Sequence, residues 1–123
     1  MKLNEMECVA CEGGTKPLEH DDIVNHMKEI NGLEGRTFPS DDKSVWDVVN
    51  DKLIEREFKF KDFKEALAFV NKVGAIAESE GHHPDITIFG WNKVSITLFT
   101  HSIGGLSIND FVVAAKINKI RLG

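Results

Sequence analysis

Cysteine, long apolar runs and surplus positive charge are all scarce in this chain, and each shortage excludes a class of protein. Two cysteines, Cys8 and Cys11, are too few for a disulfide framework in 123 residues, which agrees with a reducing compartment. No apolar stretch approaches the roughly 18 to 20 residues that a membrane span needs; the longest are pieces such as 66–70. The first residues carry Glu5 and Glu7 and lack an apolar core followed by a small-residue cleavage site, so they do not read as a signal peptide. A soluble, cytoplasmic protein without a membrane partner is expected. Fifteen Lys and Arg against twenty Asp and Glu leave a net charge of -5, whereas grasping a phosphate backbone takes clustered cations. No direct nucleic-acid partner is expected. Neither of the glycine-rich phosphate cradles occurs, and there is no solenoid-length repeat or low-complexity tract.

What is present is enough for one core. At 41% hydrophobic residues, positions 1–123 read as a single domain, with 1–16 as an N-terminal arm. Ile23, Met27 and Ile30 recur at helical spacing before Asn31-Gly32, predicting an amphipathic helix over 18–30. Positions 33–43 have no period and read as a loop. Runs at 45–49 and 53–60, split by Asn50-Asp51-Lys52, predict a hairpin with Ile54, Phe58 and Phe60 on its core face. Asp62 and Glu65 then predict a capping box, followed by an apolar stripe of Phe63, Ala66, Leu67, Val70, Val73 and Ala77 that ends at Gly81. A second strand pair spans 85–88 and 91–100 with a turn near Gly90. Val94, Ile96 and Leu98 take one side; Ser95, Thr97, Phe99 and, by alternation, His101 take the other. Ser107 and Asp110 predict another capping box, opening a last helix to about Ile120. That helix is apolar around most of its girth, which points to a subunit interface. The expected fold is α+β: an antiparallel four-stranded sheet with three helices on one face, in the order α-β-β-α-β-β-α.

The chemistry is concentrated in three of the five histidines, His82, His83 and His101. Imidazole is the side chain that titrates nearest neutral pH, so such a cluster suits proton transfer. Taken alone, His82-His83-Pro84 also reads as a helix end, where imidazoles sit well beside the last carbonyls. Pro84 biases His83 toward an extended backbone, so the two rings diverge, which weakens a metal site that needs converging ligands. No metal is expected. Cys8 and Cys11 have C-x-x-C spacing but no second pair and neither structural context of that motif, so two thiols in an arm is the simpler reading; completion by His20 or another subunit is the weaker one. Trp46 and Trp91 read as core or strand-pair anchors.

Several pieces in order resemble the pterin-4a-carbinolamine dehydratase family. They are Arg56-Glu57-Phe58-Lys59-Phe60, the helix from Phe63 to Phe69, Glu78, Gly81-His82-His83-Pro84, Trp91 with Lys93-Val94, Thr100-His101, Gly105-Leu106-Ser107 and Asp110. Positions 8–18 also look like the arm of a non-animal branch. The resemblance implies dehydration of 4a-hydroxytetrahydropterin to quinonoid dihydropterin by general acid and base groups, supporting tetrahydrobiopterin recycling beside an aromatic amino acid hydroxylase. It implies His82, His83 and His101 as catalytic residues, with Pro84, Thr100 and Ser102 joining them in substrate binding. Glu78 and Asp110 are candidate orienting carboxylates. No cofactor is implied, and a homodimer or homotetramer is. Relative to animal members one residue is added between the histidine pair and Thr100-His101; it must fall in the turn near Gly90 for His101 to face the site. Val45 stands where the family usually has Gly. The alternative is a non-catalytic binding or assembly module on the same fold, resembling relatives that act as a transcription cofactor or in Rubisco assembly.

Overall fold

Period-two alternation builds the sheet, and the computed structural model, which describes residues 2–9, 15–32 and 45–122, places every strand where alternation runs cleanly. The elements are α1 (His20–Asn31), β1 (Asp47–Val49), β2 (Leu53–Lys59), α2 (Phe63–Glu80), β3 (Asp85–Phe89), β4 (Lys93–Leu98) and α3 (Ile108–Ile117), with short 3-10 turns at Leu3–Glu5 and His101–Ile103. This is the expected α-β-β-α-β-β-α order, in one antiparallel sheet of strand order β1-β2-β4-β3. The loop expected at 33–43, Gly13-Gly14 and Cys11 lie outside the described residues.

Register puts the apolar residues in cross-strand rows. Ile54 lies opposite Leu98, Phe58 opposite Val94, and Ile86 and Ile88 opposite Ile96 and Val94. These rows form the face on which the helices pack. Pairing of β4 with both neighbours is unbroken from Lys93 to Thr97, so no added residue interrupts that strand. Asn50 and Asp51 turn the first hairpin with positive φ, the type I′ pattern that suits the twist of paired strands.

The packed face of α2 differs from the predicted stripe. Phe63 and Leu67 are 48% and 39% exposed, while Phe69, left out of that stripe, is buried. The face that meets the sheet follows Ala66, Phe69, Val73 and Ala77, and the Phe69 ring sits 4.6 Å from that of Phe58 and 4.9 Å from that of Phe60. The cap differs as well. Asp62 accepts from the Glu65 amide at 2.8 Å, but the Glu65 carboxylate accepts from the Lys61 amide, one residue before the expected one.

α3 is apolar all round because the chain itself surrounds it. Phe111, Val112, Val113 and Ala114 have no exposed surface, with α1, α2 and the Leu3–Glu5 turn packed against the helix. The girth expected to form a subunit interface is therefore internal. A charge at Val113 or Ile117 would enter the core, so it would not report on assembly.

Trp46 is a core anchor as expected. Its indole N–H donates to Asn118 Oδ1 at 2.8 Å, and its backbone exchanges two 2.9 Å hydrogen bonds with the Asn31 side chain. Trp91 is not an anchor. It sits in the three-residue loop between β3 and β4, 61% exposed and at φ 59°. The strands stop pairing at Phe89 and Lys93, which leaves Trp91 to the turn. A left-handed conformation costs an L-residue about 1–2 kcal/mol, least for Asn and Gly. Trp91→Asn is therefore expected to stabilise the fold by roughly 0.5–1 kcal/mol, read as a higher urea midpoint with unchanged slope.

Candidate active site

Two chain reversals bring the histidines together. At the end of α2, Gly81 takes φ 66°, and the amides of Gly81 and His82 both donate to the Ala77 carbonyl, at 2.9 and 3.3 Å. This closure ends the helix and turns His82 toward α3. On the other side β4 runs out through Thr100, which bridges to Gly105 around the His101–Ile103 turn. His101 stays on the Phe99 side, as alternation predicted, with its ring 4.1 Å from the phenyl ring. His82, His83, Thr100, His101 and Ser102 consequently line one cleft of about 370 Å³. That is within the roughly 300–1,000 Å³ range of small-molecule sites. Pro84 is not among the lining residues; it lies between His83 and the first residue of β3. A larger hollow of about 850 Å³ beside Glu29, Asn31 and Lys119 has no histidine in its lining.

Asp110 is the fixed point. Its carboxylate is fully buried in the first turn of α3, where it closes the predicted capping box with Ser107. Oδ2 accepts from the Ser107 amide at 3.0 Å and from Thr100 Oγ1 at 2.8 Å, and Oδ1 lies 2.6 Å from His82 Nε2. Proton bookkeeping sets the rest. With the Thr100 hydroxyl hydrogen given to Asp110, the 2.8 Å contact between Thr100 Oγ1 and Ser107 Oγ is donated by Ser107. An ionised carboxylate can only accept, so Nε2 of His82 carries its hydrogen toward Asp110. In neutral His82 the lone pair is then on Nδ1. The other expected orienting residue, Glu78, meets His83 instead, with Oε1 2.6 Å from Nε2 and both side chains largely exposed.

Four lining residues were not anticipated as such: Gly81, expected only as a helix end, and Phe99, Asn109 and Val9. Phe99 was visible as the strand neighbour of His101. Asn109 is one of three polar residues, with Asp110 and Lys116, in a mostly apolar helix, which was the available signal. The arm reaches this place because Glu80 receives the Cys8 amide at 2.8 Å on one oxygen and Lys116 Nζ at 2.9 Å on the other. Lys116 foremost, then the Cys8 amide, holds the Glu80 carboxyl below its ordinary range. A carboxyl lowered by folding contributes stability that is complete above its unfolded value near 4.3 and is lost as pH falls through the lower folded value. Amide exchange protection at Cys8 is accordingly expected to persist down through the usual glutamate range and to disappear only below it. Burial, with Glu80 adding to it, pushes the Cys8 thiol up to about 12, so at neutral pH it is neither the thiolate nucleophile nor the thiolate ligand that C-x-x-C chemistry uses.

Comparison with known proteins identifies the family. The sequence model of the family described as pterin 4 alpha carbinolamine dehydratase matches residues 19–120. An Alkaliphilus metalliredigens protein named "Putative pterin-4-alpha-carbinolamine dehydratase" is 48% identical over 117 residues, covering 95% of this chain and 94% of its own. One of the same name from Rubrobacter xylanophilus is 42% identical, covering 97% and 98%. A solved structure from Brucella melitensis, described as a transcriptional coactivator/pterin dehydratase, superposes with a TM-score of 0.66 at 31% identity, covering 84% of this chain and 96% of that one. With the family's sequence model matched from before α1 to beyond α3, and relatives aligned from end to end, the chain belongs to the pterin 4 alpha carbinolamine dehydratase family.

Proposed function

We propose that the protein removes water from 4a-hydroxytetrahydropterin, giving quinonoid dihydropterin, with His82 and His101 as the proton-transfer groups and His83 as a substrate-binding group. The C4a–O bond breaks, C4a=N5 forms, the N5 proton goes to a base and the departing hydroxyl takes a proton from an acid. His82 suits the base: Nδ1 holds the free lone pair, and the imidazolium formed is stabilised by Asp110 on the opposite nitrogen. His101, which lines the same cleft, suits the acid. After two-electron reduction by a separate hydride-donor-dependent reductase, the product would rejoin the tetrahydropterin pool of an aromatic amino acid hydroxylase. The observation that carries this reading is the 2.6 Å bond between His82 and a buried carboxylate at the edge of a cleft that His101 also lines.

Titration with 7,8-dihydrobiopterin, followed through the ring signals of all five histidines, tests it. Shifts at His82, His83 and His101 with His20 and His26 unmoved are expected. No shift at the first three would remove the pterin site and return the chain to the binding-module class.

A further inference from the structure

The N-terminal arm is pinned most tightly where it meets the cleft. Asn109 is only 3% exposed, and both ends of its side-chain amide bond the Val9 backbone: Oδ1 accepts from the Val9 amide at 3.0 Å and Nδ2 donates to the Val9 carbonyl at 2.5 Å. A second clasp holds the preceding residue, through the Cys8 amide on Glu80 and Glu80 on Lys116. A buried amide is unfavourable unless its hydrogen bonds are met, and an apolar residue would fill this place in α3 without that requirement. Packing of the arm over the core is served by Leu3, Met6 and Cys8, which lie against it. Val9 is not among the residues packed on the core; it is 64% exposed and is one of the residues lining the histidine cleft.

We propose that Val9 is a substrate-positioning residue: an apolar wall of the pterin cleft, held in register by Asn109 and Glu80. The inference rests on the dehydratase reading for its substrate. Among the lining residues the histidines, Thr100 and Ser102 supply polar groups, and Phe99 and Val9 are the large apolar ones. A flat heteroaromatic ring needs both, because its ring faces and carbon edges leave water only against apolar groups. Val9 touches no reacting group, so its effect falls on binding.

The test uses the full chain carrying Val9→Ala, which removes two methyl groups from an exposed side chain, and Asn109→Ala, which releases the clamp. Each apolar carbon withdrawn from water contributes about fourfold to a binding constant, and partial coverage brings the expected loss to roughly three- to tenfold. KM for the carbinolamine and the dissociation constant for 7,8-dihydrobiopterin should both rise by that factor in Val9→Ala, with kcat within about twofold. Asn109→Ala should match it, and the double variant should be no worse than either single one. Unchanged KM and pterin affinity in Val9→Ala would overturn the assignment. If the unmodified protein binds dihydrobiopterin in a Val9-dependent way but does not dehydrate the carbinolamine, the wall stands and the catalytic reading falls. Dehydration with a KM indifferent to Val9 would mean the reverse, and neither binding nor turnover would overturn both.

Discussion

His82→Ala is expected to slow carbinolamine dehydration by about 10² to 10⁴-fold, the usual contribution of one positioned proton-transfer group, with KM changed far less. The size of the effect follows from the setting of the ring. His82 is held by a carboxylate that is itself held by Thr100 and the Ser107 amide, so its orientation is fixed before substrate arrives. His101 leans on the Phe99 ring and is exposed, and His83 pairs with an exposed glutamate. His83→Ala should therefore give the smallest loss in kcat of the three and a rise in KM. Steady-state rates for the three single variants check this order; equal losses in kcat would contradict the division of roles.

Asp110→Asn is expected to lower both stability and rate through one cause. The substitution keeps the shape and removes the charge, but Asp110 has only donors around it: the Ser107 amide, the Thr100 hydroxyl and His82 Nε2. An asparagine offers one accepting atom where two are needed. With its oxygen kept on Ser107 and Thr100, its NH2 faces His82 and drives the ring proton from Nε2 to Nδ1, where it blocks the lone pair assigned to the base. Loss of an orienting partner of this kind typically costs about 10 to 100-fold, and exchanging the charge-assisted hydrogen bonds of the buried carboxylate for neutral ones destabilises by about 1–3 kcal/mol. Urea unfolding reads the second effect, and nitrogen NMR of His82 reads the tautomer. A variant with normal stability and a ring still protonated at Nε2 would contradict the network.

Much of the fold was legible because sheet and caps depend on local pattern. Alternation in 93–98 and 53–59 defined the core face, Asn50-Asp51 marked a hairpin turn, and Gly81 and Ser107 marked a helix end and a helix start. The errors arose where tertiary placement decides. Helical spacing in α2 admits two overlapping stripes, and only the position of the Phe58 and Phe60 rings selects the one containing Phe69. The girth of α3 resembles an interface until the N-terminal turn is seen to cover it. The site was partly legible: His82, His83 and His101 meet in one cleft, and Asp110 proves to be both helix cap and histidine partner, two roles that spacing alone did not separate. Val9 and Asn109 were not legible as neighbours, since a hundred residues separate them in the chain.

The central claim is that these histidines dehydrate a pterin carbinolamine. The most direct measurement generates 4a-hydroxytetrahydropterin enzymatically and follows its loss optically with the intact protein, with a His82→Ala, His101→Ala variant and with buffer alone. Acceleration by the intact protein that falls to the buffer rate in the variant is the predicted result. A rate equal to buffer with the intact protein, or one that survives loss of both histidines, would contradict the claim.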